Sequence, residues 1–250
     1  MPVINEQNKD LFSQYTFEQK EQLYNALSDL FSEKRRDLFD RLVQNRTRHI
    51  CVVLEDIFQP HNASAVLRSC DCFGVQDVHV IEQHNKYNPC SEVDMGSSKW
   101  VDVYKYNARN TDPASHITPQ VYDRLRKQGY QIIATLPHEN DTMIGDLDIS
   151  RPTALVFGTE LTGLTQEAID HADAYVKIPM YGFTESFNIS VSAALSLFCL
   201  TEKMRKTPNL DWHLSAEEQL TLKLYWSLQT ISQGEQVMRQ VAQRLFGEEG

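Results

Sequence analysis

Residues 60–74 read PHNASAVLRSCDCFG and follow an apolar run, ICVVLEDI. The stretch begins like a helix, yet it carries Asn62 at its mouth and Arg68 about one and a half turns further in. A guanidinium presents a planar fork of N–H donors that pairs bidentately with carboxylate or phosphate. Asn62 or Ser64 can cap the helix. Val66, Cys70 and Phe73 fall on one face and read as core, and Arg68 lies off that stripe. The stem of such an arginine can equally pack while its head reaches solvent, and this stretch alone leaves both readings open.

Two later loops carry related signals. FGTELTGLTQEAI, residues 157–169, reads as a strand ending at Gly158 and a helix starting near Thr165. Gly158 and Gly163 permit sharp turns and close ligand approach. The pattern is neither GxGxxG nor a P-loop, and no GxGxxG follows the first strand, which argues against a nucleotide-dependent oxidoreductase. With acidic Glu160 in the loop, it suits a nucleoside ligand without phosphate, such as S-adenosylmethionine, although a plain turn explains it too. IPMYGFTESFNISVSAALSLF, residues 178–198, reads as a strand end at Ile178, a loop forced by Pro179 and Gly182, and a helix capped by Asn188 or Ser190. Ser192, Ser196 and Cys199 form a stripe of small residues on that helix. GSSKW, residues 96–100, offers Lys99 to a phosphate or is simply a turn.

These loops need a scaffold. Runs at 49–57, 75–82, 101–106, 130–136, 153–158 and 174–180 read as strands, and 62–73, 118–128, 165–171 and 188–205 as helices. Continuous Val/Ile-rich strands between helices predict an α/β fold with a parallel sheet covered on both faces, whose ligands sit outside the carboxyl ends of the strands. The chain divides into an N-terminal helical extension (1–45), a central domain (46–206) and a C-terminal helical extension (207–250). Thr16 with Gln19 and Ser215 with Glu218 read as capping boxes. Leu220, Leu224, Leu228 and Ile231 make a stripe that packs on its own domain or on a second copy.

Composition bounds the class. The chain has 250 residues and a formal net charge of −10, which opposes bulk attraction to nucleic acid. Residues 33–48 nevertheless hold six basic side chains against three acidic; a solvated helix face is the plain reading. Five cysteines without a CxxC pair give no disulfide framework or zinc site, and no metal is expected. Buried thiols in a reducing cytoplasm fit that usage. No stretch reaches the roughly 20 apolar residues of a membrane span, and no secretory signal is visible.

Taken in order, PHNASAVLRSCDCFG, LVFGTELTGL and IPMYGFTESFNISVSAAL resemble the three motifs of the TrmH (SpoU) family of 2′-O-ribose RNA methyltransferases, in the SPOUT superfamily. The resemblance spans about residues 49–205. It implies S-adenosylmethionine as methyl donor, a C-terminal deep trefoil knot and a homodimer with the knots at the interface. It implies Asn62 and Arg68 as the catalytic pair, with Glu160, Ser186 and Asn188 lining the site. It implies that backbone at Thr135, Leu136, Gly158, Ile178, Met180 and Phe187 holds the cofactor; Phe187 stands where the family is expected to carry Leu. Helical extensions around the catalytic domain are similar to the branch that methylates guanosine 18 in the tRNA D-loop, though that branch is expected to have strongly basic flanks. On that reading Arg35, Arg36, Arg41, Arg46, Arg48 and Lys99 contact RNA phosphates. Methylation of ribosomal RNA, or RNA binding without catalysis, are the alternatives.

Overall fold

The computed structural model describes residues 11–87, 93, 95–107, 117–136 and 142–247; Cys90 lies outside them. Strands β1 (Ile50–Glu55), β2 (Asp77–Glu82), β3 (Asp102–Asn107), β4 (Gln131–Thr135), β5 (Thr142–Met143), β6 (Thr153–Phe157) and β7 (Ala174–Lys177) form one sheet, ordered β3-β2-β1-β6-β4-β7-β5 and parallel throughout. Six of these are the strands expected from the sequence. The sequence gives no sign of β5, because two residues carry too little pattern to be read.

The alternation of β1 explains the layers. Ile50, Val52 and Leu54 join a core with Val66, Leu67 and Cys70 of α3 (Pro60–Phe73). Ala193, Leu197 and Leu200 of the helix Ile189–Lys206 complete that side. Cys51 and Val53 face the other way, toward Val121, Tyr122 and Leu125 of α4 (Thr118–Lys127) and Ala168 of α5 (Gln166–Asp170). Every residue of β1 is therefore buried, as a strand covered on both faces must be. Cys70 is buried and Cys72 exposed, as two positions two apart on a helix should be.

The terminal helices form one body. Helices α1 (Phe17–Ser28) and α2 (Glu33–Val43) pack against α7 (Ala216–Thr230) and α8 (Gly234–Phe246), which follow α6 (Ile189–Lys206). Leu23, Leu27, Phe39, Leu220, Leu224 and Trp226 share a core, with the Phe39 and Trp226 rings 5.3 Å apart. The C-terminal stripe thus covers the N-terminal helices of its own chain. Both expected capping boxes are present.

Two expected features are corrected. Neither Asn62 nor Ser64 caps α3. Gln59 occupies the cap position, Pro60 opens the first turn, and Asn62 lies inside it, its side chain available for other partners. Arg46 and Arg48 do not form an RNA-facing surface. Arg46 is 4 % exposed, ion-paired with Asp71 and stacked over Trp226 at 5.4 Å. Arg48 pairs with Asp77 and, at 2.7 Å, with Asp102. Arg48 neutralises two buried acids and Arg46 a half-buried one, which nothing in the linear charge pattern reveals. Burial pushes the Asp102 carboxyl up to about 6, against the pull of Arg48.

Replacing Arg48 by Ala leaves two buried carboxylates without their cation, and should cost about 3–5 kcal/mol near neutral pH. Without the pull of Arg48, burial holds the Asp102 carboxyl still further above its unfolded value. The mutant's deficit should therefore shrink as pH falls toward 5, a trend that denaturant unfolding at several pH values measures.

Candidate active site

The carboxyl ends of β4, β6 and β7 surround a cleft of about 420 Å³. Thr135 and Leu136 enter it after β4, Gly158 to Glu160 and Thr162 to Leu164 after β6, and Ile178 and Met180 after β7. Ser186, Phe187 and the first turns of α6, with Ser192 and Ser196, close it. The volume and the largely apolar lining with a few polar groups are typical of small-ligand sites. The position, beyond the strand ends, is where parallel sheets bind ligands.

The loop after β6 has a fixed shape. Thr159 and Gly163 exchange both backbone hydrogen bonds, at 2.9 and 3.0 Å. Gly163 has φ +70°, a conformation that favours glycine. A Cβ on Gly158 would stand 2.3 Å from the Gly163 backbone, so the turn closes only without one. Thr165 ends the loop by capping α5, its hydroxyl accepting from the Ala168 N–H.

One amide joins the three motif segments. Asn188 caps α6, its Oδ1 accepting from the Ser190 N–H at 2.9 Å. Its Nδ2 donates to Asn62 Oδ1 at 3.2 Å and to a Glu160 carboxylate oxygen. Asn62 in turn donates to Gln59 Oε1 at 2.9 Å and is 8 % exposed. Residues 126 positions apart, Asn62 and Asn188, thus meet beside the cleft mouth. Glu160, Ser186 and all six residues expected at the cofactor line the cleft. Arg68 stands exposed on α3, outside the cleft lining, with no hydrogen bond or ion pair among the described residues. Ser192 and Ser196 are cleft residues that sequence reasoning does not find. Their four-residue spacing on α6 is the available signal, and on its own it speaks only for close packing. The Ser196 hydroxyl is buried and lacks a partner among the described residues.

A second cleft, about 660 Å³, lies toward the other ends of the strands, between the sheet and the 211–214 segment. Of its two arginines, Arg48 is spent on Asp77 and Asp102. One of its three imidazoles, His79, is held neutral by burial, its pKa lowered to about 4. Although larger, this cleft lacks the converging loops, and we assign it no chemistry.

The residues that line the first cleft fall within a stretch that matches a known family. Residues 49–198 match the model of the SpoU rRNA Methylase family. The chain belongs to the SpoU rRNA methylase family. Among curated SpoU relatives, a tRNA (guanosine(18)-2′-O)-methyltransferase of Borreliella burgdorferi is 40% identical over 206 residues, 82% of this chain and 90% of that protein. The enzyme of the same name from Escherichia coli K12 is 34% identical over 179 residues, covering 72% and 73%. Among solved SpoU structures, the A. aeolicus TrmH/SpoU tRNA modifying enzyme superposes with a TM-score of 0.69 at 27% identity, covering 80% of this chain and 98% of that one.

Asn188→Ala removes the α6 cap and the bridge together. It should lower stability by about 1 kcal/mol in thermal unfolding. Asn188→Asp, which keeps the capping oxygen but faces Glu160 with like charge, should recover part of the cap energy and none of the bridge.

Proposed function

We propose that this protein transfers a methyl group from S-adenosylmethionine to the 2′-oxygen of a tRNA ribose, that of guanosine 18. The observation that carries the chemistry is the meeting of Asn62, Glu160 and Asn188 beside a nucleoside-sized cleft. The choice of nucleotide is supported by the names of the relatives at 34–40% identity. Ribosomal RNA is the second reading, favoured by the family's own description.

The cleft residues fit the cofactor. Among them the buried Ser196 hydroxyl has no partner among the described residues, and Gly158 lets the turn close on Gly163 so that its backbone forms part of the cleft wall. Backbone at Thr135, Leu136, Gly158, Ile178, Met180 and Phe187 would hold it. When bound, S-adenosylmethionine supplies an electrophilic methyl group. The chain's residues then have two roles, to hold the ribose oxygen in line and to stabilise charge as that oxygen loses its proton. A guanidinium stays protonated in proteins, so we assign Arg68 the second role. It pairs bidentately with the neighbouring phosphate and stabilises the developing oxyanion. Asn62 orients the site through Asn188 and Glu160, and Ser186 completes its polar edge.

The active form would be a homodimer. Val191, Leu195 and Phe198 leave an apolar face of α6 exposed, with Phe187 exposed just before it, the kind of surface that marks protein contacts. Residues 46–206 would form the SPOUT domain, with its C-terminal part knotted. Arg35, Arg36, Arg41 and Lys99 remain for RNA phosphates: Arg41 and Lys99 are exposed, and among the described residues Arg36 pairs only with exposed Asp29. In a chain of net charge −10 this local basic face would carry the attraction. No helix of the described residues is long and apolar enough to cross a membrane, in keeping with a cytoplasmic enzyme.

Arg68→Ala should lower turnover on tRNA at least about 100-fold while calorimetry still finds S-adenosylmethionine bound at wild-type affinity. Near-normal methylation by this variant would remove Arg68 from the mechanism. Mapping the methyl group on tRNA and rRNA substrates decides between the two RNAs. Affinity for the RNA should fall steeply as salt rises, and Arg41→Ala should flatten that slope by about one phosphate contact.

A further inference from the structure

A buried acid that none of the three motifs includes stands at the end of the central strand. Glu55, the last residue of β1, is 1 % exposed. No cation pairs with it among the described residues; its carboxylate is held by hydroxyls and one N–H. Oε1 accepts from Thr118 Oγ1 at 2.7 Å and from Thr165 Oγ1 at 2.8 Å. Oε2 accepts from the Thr165 N–H at 2.9 Å. A buried carboxylate is costly to keep charged unless it is fully hydrogen-bonded, and a core position ordinarily takes an apolar residue. The identity of its partners suggests what it is for. Thr118 opens α4, and Thr165 is the cap at which the cleft-lining loop hands over to α5. That loop is anchored at its start by β6 within the sheet and closed on itself by Thr159 and Gly163. Its far end is tied to the sheet by Glu55.

We propose that Glu55 is a positioning residue for the cofactor cleft: its carboxylate clamps Thr165 and so fixes loop 158–164 in the shape that receives S-adenosylmethionine. Glu55 touches neither cofactor nor RNA; it acts through Thr165. The same loop presents Glu160 to Asn188, so the clamp also sets the bridge between the motifs. A carboxylate suits the place better than an amide, because both its oxygens face donors at Thr165, and a glutamine must turn its NH₂ toward one of them.

The proposal rests on the methyl-donor reading, and the test separates the two. S-adenosylmethionine is titrated calorimetrically into the full-length wild type, Glu55→Gln, Thr165→Ala, the double variant and Thr118→Val, each well below its own unfolding midpoint. Failure of the wild type to bind would sink the methyl-donor reading itself. Given wild-type binding, Glu55→Gln and Thr165→Ala should each weaken the cofactor about tenfold, which is about 1.4 kcal/mol. The double variant should be little worse than either single one, because both cut the same clamp. Thr118→Val removes only the α4 bond; it should lower the unfolding temperature yet leave cofactor affinity within about twofold. RNA affinity, measured in parallel, should be unmoved in all four variants. The proposal is overturned if Glu55→Gln binds the cofactor as wild type does, or if Thr118→Val weakens binding as much as Glu55→Gln, since either marks Glu55 as a stabiliser of the fold alone.

Discussion

The site depends on one side-chain amide. Asn188 accepts from the first turn of its own helix and donates to Asn62 and Glu160, so a single group joins the segments after β1, β6 and β7. The three segments differ in kind: a helix start after β1, a closed turn after β6 and a longer loop after β7. Linked by charge-assisted and neutral hydrogen bonds in a partly dry setting, they hold one geometry. The parallel sheet makes this possible by delivering three strand ends to one edge, and the glycines at 158 and 163 let the middle segment turn tightly enough to reach.

Electrostatics are partitioned across the molecule. Much of the basic charge near residues 46–48 is consumed inside, against Asp71, Asp77 and Asp102. These pairs tie the sheet to the helical unit that both termini build around Trp226. Of the cations expected at the RNA, Arg68 on α3, Arg41 on α2 and Lys99 near β3 face outward. An acidic enzyme that handles RNA would therefore rely on a few placed cations rather than on a general field.

The scaffold is legible because strand and helix periods are local. The Val/Ile runs of β1, β2 and β6 and the caps at Thr16, Asn188 and Ser215 can be read within a few residues. The six cofactor positions follow from the family resemblance, and all line one cleft. Other features are not legible. Whether Arg46 faces solvent or Asp71 is set by how α2 meets α3, and a tertiary pairing leaves no mark on the spacing of charges. Asn62 reads as a cap in the sequence, but Pro60 moves the helix start two residues earlier. Ser192 and Ser196 look like packing residues until the loop after β7 folds over them.

The methyl-donor cleft is tested most directly by following individual backbone amides by NMR as S-adenosylhomocysteine is added. Shifts should concentrate at Leu136, Gly158, Gly163, Ile178, Met180 and Ser196, with the second cleft around His79 and Tyr104 unmoved. Shifts centred on that second cleft, or absent from the ends of β4, β6 and β7 at saturating ligand, would contradict the assignment.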